Sequence, residues 1–206
     1  MDYLTILQEE IIKIATYYNP NELAYLALTS KVENTLRDKL TYRLQERLVA
    51  EHMNLLSTKE WQEADIAILT PDYKAEVLIF LKSGVTADET KANESMIGFY
   101  PKKAMEEAKK SREIVNEQTR IYLLLFYVHQ NKTLNERYKK ITKNNNAFQR
   151  AFKNGDSAQI SAEAKAHITH FFSLHNLHPE NTIIEAGQYW DINVQIHSWL
   201  TEIELQ

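Results

Sequence analysis

Two short apolar runs lie close together in the chain. One, Asp65-Ile66-Ala67-Ile68-Leu69, is opened by an acid, and the other, Val77-Leu78-Ile79-Phe80-Leu81-Lys82, is closed by a base. Between them Thr70-Pro71-Asp72-Tyr73 carries the proline and aspartate that favour a turn. Runs of this length bounded by turn residues read as an antiparallel hairpin. The second run lacks polar alternation, which predicts a strand covered on both faces. Such a strand requires helices over both sides of its sheet.

The rest of the pattern supplies them. Leu4, Leu7, Ile11 and Ile14 recur at helical spacing, with Ile6 and Ile12 widening the apolar face, until Tyr18-Asn19-Pro20-Asn21 interrupts. A second helix is expected from Glu22. Ser30 is placed to cap a third, with Glu33 completing a capping box and Val32, Leu36, Leu40, Leu44 and Leu48 forming its apolar stripe. On that helix Glu33 and Arg37 read as an exposed pair worth a few tenths of a kcal/mol. Ser83 to Gly98 reads as a polar loop with a short helix, and Pro101 opens a helix through Arg112. Arg120 to His129 is the strongest strand and a candidate for the sheet centre. A short helix is bracketed by Asn144-Asn145-Asn146 and Asn154-Gly155-Asp156, and another spans Ser157 to Leu174. Ile183-Ile184, a break at Gly187, and an alternating edge strand over Ile192 to Ile196 close the pattern. The expected fold class is α/β, a central mixed sheet flanked by helices, with added N- and C-terminal helices, in a single domain over 1–206.

Composition narrows the function. With 44% hydrophobic and 25% charged residues, disordered and fibrous classes are excluded. The longest apolar run, Ile121 to Val128, is strand-sized, so no transmembrane span is expected. The N-terminus lacks the basic segment of a secretory signal and there are no cysteines, which predicts a cytoplasmic protein. Only four glycines are present and none forms a phosphate-cradling loop, so a P-loop or dinucleotide site is not expected. The net charge of -4 opposes approach to a polyanion, except over one tract. There Lys132, Arg137, Lys139, Lys140, Lys143, Arg150 and Lys153 face a single acid, Glu136. This is the candidate nucleic-acid contact, although a solvated helix and loop surface would look the same.

The order helix with Glu33, strand with Asp65, strand ending in Lys82, helix, strand resembles the core of the PD-(D/E)xK superfamily, the restriction-endonuclease-like fold, over about residues 30 to 130. Glu33-Asn34-Thr35-Leu36-Arg37-Asp38 is similar to its first core helix, Glu60 to Leu69 to the strand with the metal-binding aspartate, and Phe80-Leu81-Lys82 to the (D/E)xK tripeptide. The resemblance implies Mg²⁺-dependent cleavage of DNA, with Asp65 and Glu33 as metal ligands and Lys82 orienting the attacking water. Alternation puts positions 80 and 82 on one strand face, yet Phe80 stands where the motif has an acid. Two readings follow: a nuclease-like protein that has lost catalysis and binds nucleic acid or a protein partner, and an active endonuclease built on Asp65, Lys82 and a relocated carboxylate such as Glu33 or Glu63. Mg²⁺ is implied only in the second. Glu76 shares the parity of 80 and 82 but lies about 20 Å from Lys82 along an extended strand.

Other candidates stand apart from that motif. His167, His170, His175 and His178 cluster around a helix end but lack the cysteines that commonly complete a zinc site. Tyr189-Trp190-Asp191, with Trp61 and Trp199, offers aromatic surface for a homodimer or protein partner.

Overall fold

The hairpin forms and becomes one half of a sheet. The computed structural model describes residues 2–111 and 115–204. Among these, six strands form one mixed sheet in the order β1-β2-β3-β4-β6-β5, with β1 Leu56–Trp61, β2 Ala64–Leu69, β3 Ala75–Val85, β4 Arg120–Gln130, β5 Glu180–Tyr189 and β6 Ile192–Ile203. Only β3 and β4 pair in parallel, from Val77 opposite Arg120 to Val85 opposite Val128; every other pairing is antiparallel. The helices are α1 Tyr3–Lys13, α2 Glu22–Thr29, α3 Val32–Ala50, α4 Phe99–Lys110, α5 Asn145–Phe152 and α6 Ser157–Leu174. The fold is therefore α/β, with a central mixed sheet flanked by helices. Arg112, expected to end the α4 helix, lies outside the described residues.

Strand parity divides the core. Ile66, Ile68, Val77, Ile79 and Leu81 pack with Tyr122, Leu124 and Phe126 against α1, α2 and α3. Ala67, Leu69, Leu78 and Phe80 pack with Leu123, Leu125, Tyr127 and Trp199 against Ala104 and Ala108 of α4 and Ile168 and Phe172 of α6. Both faces of β3 are thus covered, as its unbroken apolar run requires. Val32, Leu36, Leu40, Leu44 and Leu48 are all buried on α3, each worth roughly 1.5–3 kcal/mol of burial.

Several expectations are corrected. Ile12 does not widen the α1 core face; it is 60% exposed. Ser30 does not cap α3, because its hydroxyl donates to the Leu26 carbonyl and Lys31 occupies the cap position without a side-chain bond. Strand β1 was not anticipated, since Leu56-Ser57-Thr58-Lys59-Glu60-Trp61 is an edge strand with little apolar side to bury. The polar segment after Lys82 is no surface loop: β3 continues to Val85, and Thr86 to Thr90 are buried. Within it Glu89 accepts from the Tyr127 hydroxyl at 2.7 Å and from Gly98 N at 2.8 Å, so its polarity is satisfied internally. The final strand is longer than Ile192 to Ile196 and lies inside the sheet, with β5 on the edge. The break at Gly187 is a bulge with φ +106°. Trp190 and Asp191, both with positive φ, make the two-residue turn between β5 and β6. The Trp190 ring stacks on Tyr138 at 4.4 Å and Trp199 is buried, so both aromatics are engaged within the chain itself.

His197 lies on the same face as Trp199, 2% exposed, its ring 5.4 Å from that of His129 on β4. Burial pushes it down to about 4. Between about 6.5 and 4 the unfolded chain binds a proton that the native state refuses, so this contribution is complete above pH 6.5 and is lost as pH falls through that window. The expected slope is about 1.4 kcal/mol per pH unit for this one residue. Urea unfolding between pH 7 and 4.5 should show wild type losing stability more steeply than His197→Phe by about that amount.

Candidate functional site

Asp65 precedes Ile66, which pairs with Ile79, so the acid falls on the strand face that carries Phe80 and Lys82. Its Oδ2 accepts a hydrogen bond from Leu81 N at 2.7 Å and lies 3.5 Å from Lys82 Nζ. The carboxylate thereby takes up a strand N–H just past the last β2–β3 pair, which fixes it at the sheet end. From the other layer, the first turn of α3 brings Glu33 in. Its Oε2 accepts from Ser83 N at 2.9 Å and its Oε1 from Lys31 Nζ at 3.0 Å. The side chain expected to complete a capping box instead ties α3 to β3.

A fourth group was not foreseen. Glu107 on α4 places Oε2 2.5 Å from Lys82 Nζ. The signal for it was present: an acid beside Ala104 and Ala108, on the narrow small-residue stripe of a helix facing the sheet. Lys82 is 8% exposed, and besides meeting the two carboxylates it donates to the Leu81 carbonyl at 2.9 Å. Burial alone would push its ammonium down, but Glu107, Asp65 and Glu33 outweigh that and hold it above the ordinary lysine value. Burial pushes the Asp65 carboxyl up, further than the Leu81 N–H and Lys82 pull it down. Gly84, two residues on, lies under the Tyr100 ring of α4; a Cβ there would fall 2.6 Å from Tyr100 Cε2.

Asp65, Lys82 and Glu33 are thus brought together, but the oxygens are already engaged. Phe80 is fully buried between the sheet and α4 and offers no ligand atom. Lys82 occupies the space between Asp65 and Glu107, so these residues do not fit a resident Mg²⁺. Among the described residues no group of three His, Cys, Asp or Glu side chains is placed to hold a metal ion. Glu63 is an exposed turn residue, and Glu76 accepts from the Tyr3 hydroxyl at 2.9 Å. Arg37 does not pair with Glu33. It is 8% exposed and binds Asp38 and Glu60, so the exposed-pair reading is corrected.

Of the basic tract, Lys143 is the residue placed near this end of β3. Lys140, Lys143 and Lys153 are exposed; Arg137 lies over the Tyr138 ring, Lys139 pairs with Glu136, and Arg150 Nε donates to Asn93 Oδ1 at 2.6 Å. Lys143 and Lys31 share a cavity of about 250 Å³ with Ser83, Gly84 and Tyr100, which joins the tract to the end of β3. His167 bonds to the Glu89 carbonyl, while His170, His175 and His178 are exposed. No described helix is long and apolar enough to cross a membrane. No family model, curated protein or solved structure matches this chain.

Removing Lys82 leaves Asp65 and Glu107 without their shared counter-charge. Lys82→Ala should cost about 3 kcal/mol at pH 7, the lower end for a broken buried pair because Glu107 still reaches solvent. Without the ammonium the Asp65 carboxyl rises further, so the native state takes up a proton that the unfolded chain does not, and the deficit should shrink as pH falls towards 4. Urea denaturation at the two pH values checks both.

Proposed function

We propose that the chain is a nuclease-like protein of the PD-(D/E)xK type that has lost phosphodiester cleavage and binds nucleic acid through its basic tract. The observation that carries the loss of cleavage is the state of Lys82: its ammonium is matched to Asp65 and Glu107, while Phe80 fills the position of the missing acid. Hydrolysis of a phosphodiester needs a cation held by free carboxylate oxygens and a lysine free to act on water. Here Asp65 is held by Leu81 N and Lys82, and Glu33 by Ser83 N and Lys31. What supports nucleic acid as the ligand is the run of cationic side chains that reaches the same sheet end through Lys143 and Lys31.

The second reading, an active Mg²⁺-dependent endonuclease with a relocated carboxylate, would have to draw that carboxylate from Glu107, against its pairing with Lys82. The two part on simple assays. The degenerate reading expects no cleavage of single- or double-stranded DNA or RNA with Mg²⁺ or Mn²⁺, above that of Asp65→Ala. Cleavage that disappears in both Asp65→Ala and Glu107→Gln would overturn it in favour of the enzyme.

Binding is expected to weaken with salt, each phosphate neutralised adding about -0.9 to the slope of log K against log salt on duplex DNA. Fluorescence anisotropy of labelled DNA should show Lys140→Ala with Lys143→Ala reducing that slope in magnitude by about 2. A flat titration at low salt would eliminate nucleic acid as the partner and leave a protein ligand or second copy.

A further inference from the structure

A second cluster, sharing no residue with the Lys82 centre, lies where β4 ends and α6 begins. His129 is 5% exposed and is held at both ring nitrogens: Nδ1 lies 2.8 Å from Thr86 Oγ1 and Nε2 2.8 Å from Ser157 Oγ. Ser157 is the first residue of α6 and, with His129, lines a cavity of about 500 Å³. The remaining wall includes the side chains of Asn131, Asn193, Gln195 and Glu185. We propose that Ser157 is a nucleophile that His129 activates towards acyl groups with a good leaving group, with Thr86 as the positioning residue.

The arrangement has the parts such a step needs. A serine hydroxyl becomes nucleophilic when an adjacent base can take its proton and a third group fixes the base. Two tautomers of His129 satisfy the observed contacts. In the one with Nδ1–H donating to Thr86 Oγ1, Nε2 accepts from the Ser157 hydroxyl. Burial pushes the imidazole down to about 4, so at neutral pH the ring is uncharged and its nitrogen free to accept. The same low basicity limits it to acyl groups whose leaving oxygen departs as a weak base. The α6 N-terminus adds donors. Asp156 takes the N–H of Gln159, and the N–H groups of Ser157 and Ala158 have no acceptor within the helix. They lie next to the oxygen that would attack and can meet negative charge developing on the acyl oxygen.

The step balances with water as the only co-reactant. Ser157 Oγ bonds to the acyl carbon as its proton passes to His129 Nε2. The bond from the acyl carbon to the leaving oxygen breaks, and that oxygen takes the proton from Nε2. Water then attacks the acyl-serine, gives one proton to Nε2, and the carboxylic acid leaves as Ser157 recovers its proton. The wall of carboxamides suits a polar acyl chain more than a fatty one.

The test uses an alkyl fluorophosphonate, which phosphonylates an activated serine with loss of fluoride, on the intact protein, with labelled peptides located by mass spectrometry. Ser157 should react at least tenfold faster than exposed Ser173, and His129→Gln and Thr86→Val should bring it down to that background while Thr86→Ser restores it. Labelling of wild-type Ser157 no faster than Ser173 overturns the proposal without any variant being needed. Fast labelling that persists in folded His129→Gln overturns the role of the histidine. p-Nitrophenyl acetate should give a burst of nitrophenolate of about one equivalent, absent in Ser157→Ala; a burst kept in Ser157→Ala would place the nucleophile elsewhere.

Discussion

The end of β3 is organised by one ammonium set among carboxylates that come from three different elements. Lys82 is held by Asp65 of β2 and Glu107 of α4, and Glu33 of α3 binds the next peptide N–H. The Glu107 and Glu33 links each cross a boundary between layers, so helices on opposite faces of the sheet are fastened at a single point. Desolvating these charges is costly, and the return comes only because the partners are mutually satisfied. A hydrophobic replacement could equal it in stability. What it could not supply is the fixed relation of α3, α4 and the β2–β3 edge.

That lattice of bonds also explains why an acid and a lysine can be at the right places without forming a metal centre. Ligand oxygens are useful to a cation only when no internal donor has claimed them. In this chain the Leu81 N–H, the Ser83 N–H and two lysines have claimed them, and the Phe80 ring removes the remaining position. The residues of the Ser157 cluster show the contrary condition: a neutral buried ring with two hydroxyl partners and an open cavity beside one of them.

Much of the fold was legible because burial leaves periodic traces. The five-residue stripe of α3, the turn at Thr70 to Tyr73, the central position of β4 and the limits of α6 could be read from spacing alone. Features that depend on partners far along the chain could not. Glu33 looks like a capping residue until Ser83 is placed beside it, 50 residues away. Glu107 stands beside the buried Ala104 and Ala108 stripe, but the charge it meets is set only when α4 packs on β3. The stretch from Thr86 to Thr90 reads as a loop because Glu89 and Thr86 find partners in Tyr127 and His129, 38 and 43 residues away. The Asp65 and Lys82 pairing was readable because a hairpin makes distant residues local.

The parallel contact between β3 and β4 has a consequence for how the chain reaches this state. The flanking pairs β1–β2, β2–β3 and β5–β6 are joined by short turns and close over little chain, whereas β3 and β4 meet only after the whole crossover through α4 has been gathered in. Contacts of wide sequence separation pay their closure entropy before they are rewarded. The hairpins on either side are therefore expected to form first and the two seams of β4 later, β4–β6 last, because its partners lie further apart in sequence, as Ile121 and Ile203 do, than Val77 and Arg120 across β3–β4.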